Sequence, residues 1–179
     1  GIAGYKYVAE KRQQKTSQLI FEFQQKTLAP YKEKKLTVDA VVKQTEEFKR
    51  KVGGLVDLAP VLLELSGAMK AQGHIAPAVI LMRPTFEKLQ QSPYLFFLFG
   101  YALSAFEEDQ GQYAEALKVL ELMNSSKVKF LEPKLYLDLG RLHLKLGNKH
   151  EAKKRFEQVL EQYPQDEMAK LAQIYKGQL

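Results

Sequence analysis

The side chains best equipped for chemistry in this chain are its three histidines, His74, His143 and His150, and the acidic run Glu107-Glu108-Asp109. Imidazoles paired at helical spacing and backed by carboxylates would hold a transition metal. Here no histidine lies three or four residues from another. His74 and His150 follow turn glycines, and His143 falls on an apolar stripe, so all three read as structural or solvent-facing. The acidic run would suit calcium if its oxygens alternated along a loop. Three consecutive acids after an apolar stretch read instead as the solvated end of a long helix. The chain has no cysteine, which removes disulfides, thiol nucleophiles and thiolate zinc sites together. No phosphate-cradling glycine loop or nucleophile elbow is present. The sequence assigns no catalytic residue, no cofactor and no metal, and it points to a protein that is not an enzyme.

The remaining chemistry is that of contact surfaces. In Pro93-Tyr94-Leu95-Phe96-Phe97-Leu98-Phe99-Gly100-Tyr101, Phe96 and Phe99 share one stripe, while Tyr94, Phe97 and Tyr101 lie on the adjacent face at three- and four-residue spacing. Lys134, Leu137, Arg141 and Lys145 hold the matching face further on, and Leu63 and Lys70 hold it earlier. A surface aromatic in the middle and basic at one end suits an extended, partly acidic or carboxylate-bearing segment of a protein or peptide partner. The other reading is that Phe97 and Tyr101 pack against a neighbouring element.

These faces are set by a repeat. Tyr136, Leu139, Gly140, His143, Gly147, Ala152, Phe156, Val159 and Pro164 form a large-small alternation across two predicted helices. Helices cross closely where each offers a small residue, here Gly140 and Ala152. Gly147 permits a left-handed turn and Pro164 ends the second helix. The same offsets occur 74 residues earlier in Leu62, Leu65, Ser66, Met69, Gly73, Ala78 and Met82. Pro84 interrupts that copy and predicts a kink or early break. A middle copy opens at Phe96, and its turn glycine, Gly111, comes four residues late. That is about one helical turn, so its first helix is expected to be longer without rotating its buried face.

The alternation in 133–166 resembles the tetratricopeptide repeat. The resemblance implies an all-α fold: a right-handed superhelix of three helix pairs (59–92, 93–132 and 133–166), two N-terminal helices over 1–56, and a capping helix over 167–179. It also implies a protein-binding adaptor whose concave groove is lined by Leu63, Lys70, Tyr94, Phe97, Tyr101, Lys134, Leu137, Arg141 and Lys145. The asparagines of the chaperone-tail carboxylate clamp of this superfamily are missing from that face.

The N-terminal part is different in charge. Residues 1–52 hold 12 Lys and Arg against 6 Asp and Glu, and the rest of the chain is balanced. The lysines are interleaved with Glu and Gln and accompany no nucleic-acid motif, so a solvated helix face is expected and no nucleic acid. Residues 5–28 predict one long helix stopped by Pro30, polar nearly all round in its first half, which would project or pair with another chain. Thr37 and Asp39 open a second helix that Gly53-Gly54 ends.

The chain opens on Gly1, not Met, and reads as a trimmed piece of a longer protein. Gly1-Ile2-Ala3-Gly4-Tyr5-Lys6-Tyr7 fits either the trailing edge of a membrane helix upstream of Gly1 or a cloning scar before a helix. With the terminal helix Ala169–Leu179, this opening resembles the ancillary subunit family of the SecYEG translocon. That resemblance implies a bacterial inner-membrane protein with a periplasmic domain, meeting the translocon or periplasmic chaperones. Lys6, Lys11, Arg12 and Lys15 argue for the cytoplasmic side instead. The alternative function is a structural protein that assembles as a homo-oligomer through its N-terminal helix.

Overall fold

The computed structural model describes residues 2–179. The fold is all-α, as expected, and the chain divides after Leu89 into two compact units. The first contains α1 (Ile2–Phe23), a π-helical turn (Gln24–Leu28), α2 (Ala29–Lys32), α3 (Val38–Lys51), α4 (Leu55–Ala71) and α5 (Ile75–Glu87). The second contains α6 (Pro93–Asp109), α7 (Tyr113–Asn124), α8 (Glu132–Lys145), α9 (Lys149–Gln162) and α10 (Glu167–Lys176).

In the first unit, Pro30 does not stop the long helix. The π turn shifts the hydrogen-bond ladder, so that the Ala29 N–H reaches the Gln24 carbonyl five residues back. Pro30 then stands in the first turn of α2, where a missing N–H costs little. The helix ends two residues past α2 at Lys34, which takes a left-handed φ of 59° while the Lys35 N–H donates to the Pro30 carbonyl at 2.8 Å. Thr37 caps α3 by accepting the Ala40 N–H at 3.2 Å. Phe23 stacks on Phe48 with ring centroids 4.2 Å apart, and Thr27 donates to the Gln44 side-chain oxygen at 2.6 Å. Tyr31 is buried, and its hydroxyl lies 2.6 Å from His74 Nδ1, which ties α2 to the turn before α5. Residues 2–15 of α1 are exposed on every side.

Pro84 also fails to break its helix, since α5 continues for three more residues to Glu87. The carbonyl deprived of a donor belongs to Ile80, an exposed residue, so the unmade bond falls on the solvent side of the helix.

No helix among the described residues is long and apolar enough to cross a membrane. This overturns the inner-membrane and periplasmic placement. At 22 residues α1 has the length, but Lys6, Glu10, Lys11, Arg12, Lys15 and Glu22 interrupt it. The part of the opening that rests on Gly1 lies outside the described residues.

One turn recurs at Gly73, Gly111 and Gly147, with φ of 83°, 71° and 79°. In each, the residue after the glycine donates to a carbonyl five residues back: His74 to Met69 at 2.8 Å, Gln112 to Glu107 at 2.9 Å, and Asn148 to His143 at 2.8 Å. This is the Schellman arrangement, which satisfies the last carbonyls of one helix and reverses the chain into the next. The extra turn expected in the middle copy is present, because α6 runs 13 residues past Phe96 whereas α8 runs 9 past Tyr136.

The crossing of α8 and α9 is set by Gly140. A Cβ placed there would lie 2.4 Å from Cε1 of Phe156, a ring that is itself fully buried. Phe156 also stacks on Tyr175, with rings inclined by 12° and centroids 5.6 Å apart, and so carries α10. Gly140→Ala is expected to cost about 1–3 kcal/mol through overpacking, despite the gain in helix propensity. Gly67, on the exposed face of α4, would meet nothing within 4 Å, so Gly67→Ala should stabilise by about 0.5–1 kcal/mol. Chemical denaturation of the two variants should move the midpoint in opposite directions.

Candidate functional site

Of the nine residues expected to line a groove, Leu63 and Lys70 stand on α4 in the first unit, half-buried and exposed respectively. The other seven lie in the second unit, on α6 and α8. Tyr94 is exposed, whereas Phe97 and Leu137 are 2% and 4% exposed and are taken up in packing. Phe97 meets Phe96 and Phe130 edge-on, at centroid distances of 5.8 and 5.6 Å. Tyr101 is half-buried and its hydroxyl donates to the carbonyls of Phe130 at 3.1 Å and Leu131 at 3.3 Å. Burial, and the charge of Asp138 after it, push the Tyr101 phenol well above its ordinary pKa. It therefore stays a donor at neutral pH.

The basic end is largely neutralised from within. Arg141 makes a bidentate pair with Glu108, at 3.0 Å through Nη1 and 2.9 Å through Nη2, and its Nε donates to Asp138 at 3.3 Å. Asp138 also accepts from Lys134, whose ammonium lies 4.9 Å from the centre of the Tyr101 ring. Burial works against the Arg141 charge, but the hydrogen bonds and charges of Glu108 and Asp138 outweigh it and hold the guanidinium above its ordinary pKa. Lys145 is exposed and lies 5.9 Å from the Tyr113 ring. Arg141 and Lys145, with Leu144, Tyr175 and Gln178, line a cleft of ≈ 310 Å³ between α8 and α10.

The acidic run is thus not simply a solvated helix end. Glu107 is fully buried and Glu108 is half-buried and engaged, and both lie in the extra turn of α6. One sequence signal could have found Glu108. It precedes Arg141 by 33 residues, and Glu121 precedes its partner Arg155 by 34, so residues about one repeat apart are neighbours. His143 is buried, with Nε2 3.5 Å from Glu121. Among the described residues, no group of three His, Asp or Glu side chains is placed to hold a metal ion.

Residues 107–174 match the family model described as tetratricopeptide repeat. This stretch is similar to tetratricopeptide repeats. It takes in α7, α8, α9 and nearly all of α10, the elements that build the Gly140 crossing and the cleft. Repeats of this family generally mediate contacts between proteins and typically serve as non-enzymatic scaffolds. No curated protein and no solved structure matches the chain. The narrower resemblance to the translocon subunit family finds no support in these comparisons.

The cleft depends on α10, which an ion pair links to α9 beside the Phe156–Tyr175 stack. Lys176 Nζ lies 2.9 Å from Glu157 Oε1, and this hydrogen bond, ahead of the neighbouring charges of Lys176, Lys153 and His150, lowers the Glu157 pKa from its usual 4.5. A carboxyl whose folded pKa is depressed adds stability fully above the unfolded value and loses it as pH falls through the folded one. Glu157→Gln should therefore melt below the parent protein at pH 7, and the difference should vanish once the pH is well below 4.5. A gap in melting temperature that persists at low pH would show that the pair does not act this way.

Proposed function

We propose that the protein is an adaptor that holds an extended segment of a partner protein along α6 and α8 of its second unit, ending in the α8–α10 cleft. The observation that carries this reading is the cleft itself. Arg141 and Lys145, placed by the repeat pattern on the partner-facing side, open onto it together with Tyr175 and Gln178. These side chains offer hydrogen-bond donors around the aliphatic wall of Leu144, a mixture suited to a peptide backbone and small polar side chains. Glu108 and Asp138 already engage Arg141. Attraction for an acidic ligand therefore rests on Lys145 and is weaker than the count of basic residues implies. The reading takes the helix pairs as three repeats (59–92, 93–132 and 133–166) behind an N-terminal segment, with Leu63 and Lys70 on the equivalent face of the first.

A photo-crosslinking residue at position 145 should capture a partner in cells, whereas one at Lys154, exposed on α9, should not. Equal capture from both positions would remove the support for the groove.

A second reading, assembly through α1, is favoured by one observation. Residues 2–15 have no packing face in the monomer yet expose Ile2, Tyr5, Tyr7 and Val8. A helical stretch of that length is marginal in water without a partner surface. Removing residues 1–22, just before the buried Phe23, would reduce the solution mass to that of one shorter chain if α1 mediates assembly. A parent protein that is already monomeric at high concentration rules this out.

A further inference from the structure

The loop between α7 and α8 lies on the groove. Phe130 sits edge-on to Tyr94, with centroids 6.2 Å apart and planes at 87°, and edge-on to Phe97 at 5.6 Å and 71°. The two adjacent carbonyls, of Phe130 and Leu131, both accept from the single hydroxyl of Tyr101. Tyr94, Phe97 and Tyr101 are the α6 residues that the repeat pattern assigns to partner contact. The contacts are those by which an extended peptide would be held: one ring among rings, and main-chain carbonyls fixed by a side-chain donor.

The seat is incomplete in a telling way. Phe130 remains 38% exposed, and Tyr94 and Leu131 are about two-thirds exposed, at 66% and 65%. Val128 and Leu98 add further exposed apolar surface. Leu131 is also one of two non-glycine residues with positive φ among the described residues, at φ 55° and ψ 48°. A leucine is disfavoured in that left-handed conformation, and here it turns the chain from the seated loop into α8. The loop is held by a few directional contacts against a backbone cost, as befits a segment that can leave.

We infer that Val128-Lys129-Phe130-Leu131 is a built-in stand-in for the ligand. It occupies the aromatic end of the groove until a partner segment bearing an aromatic residue next to an aliphatic one displaces it. The proposal deepens the groove reading and rests on it, and it adds the ligand's chemistry and a gate. With the loop seated, apparent affinity for a competing segment is reduced by the fraction of molecules whose loop is open.

The loop supplies its own probe, a fluorescent synthetic peptide of residues 125–131 (Ser-Ser-Lys-Val-Lys-Phe-Leu), titrated with the full chain and followed by anisotropy. Phe130→Ala should bind it about tenfold or more tightly than the parent protein, by freeing the aromatic seat. Replacing the peptide's phenylalanine by alanine should abolish that gain. Phe130→Leu keeps an apolar side chain but removes the ring, and should raise peptide affinity severalfold even if Phe130→Ala folds poorly. Equal affinity of parent and folded variants, or no binding to any of them, overturns the proposal. Crosslinking from position 145 reports on the other end of the groove. Partner capture there with no peptide binding here would sink the stand-in and leave the adaptor reading intact. Peptide binding without capture at position 145 would keep the aromatic end of the groove and remove the α8–α10 cleft from the ligand's path.

Discussion

A hydrogen atom where other residues carry a methyl group governs the second unit. The Phe156 ring occupies the space that a Cβ on Gly140 would need, so α8 and α9 approach as closely as a ring and a bare backbone allow. The same Phe156 ring stacks on Tyr175 and so holds α10. The cleft lined by Arg141, Lys145, Tyr175 and Gln178 exists only because α8 and α10 are both held in this way. A contact with no polar group in it thereby determines where the polar groups of the candidate site are displayed. A Cβ on Gly67, by contrast, would meet nothing within 4 Å.

Around this apolar frame, charge is distributed by the same periodicity. Glu108 on α6 meets Arg141 on α8, and Glu121 on α7 meets Arg155 on α9, each pair about one repeat apart. Such half-buried pairs contribute modestly to stability, because desolvation offsets much of their attraction. Their stronger effect is on orientation: two carboxylates engage the fork of Arg141, which leaves fewer of its donors for an arriving anion. The groove is thus more nearly neutral than its lysines and arginines suggest.

Much of the second unit was legible in the sequence because the repeat is written in residues with few substitutes. A small residue at 140, a left-handed glycine at 147 and 111, and large residues at 136, 139 and 156 each answer a steric demand, and the four-residue delay before Gly111 translates directly into a longer α6. The site was less legible. Phe97 and Leu137 occupy pattern positions that face a partner in the consensus, but a loop of unpredictable course brought Phe130 onto Phe97. Glu107 and Glu108 looked solvated because three consecutive acids suggest water, and only the separation of one repeat hints at Arg141. In the first unit the commonest effect of proline, helix termination, predicts a stop at Pro30. Pro30 escaped that rule because the preceding π turn places it at a helix start, an arrangement with no reliable residue signature.

That π turn has a consequence for helical phase. Phe23 and Tyr31 are both buried although eight residues separate them, and two turns of α-helix take only about 7.2. In an unbroken α-helix the second ring would overshoot the first around the axis and face partly away from the core. The wider turn at Gln24–Leu28 absorbs the surplus residue and brings Phe23 back over Phe48 while Tyr31 reaches His74. The segment therefore behaves as a vernier between two helical registers. A chain one residue shorter at this point could run as plain α-helix and bury the same two rings.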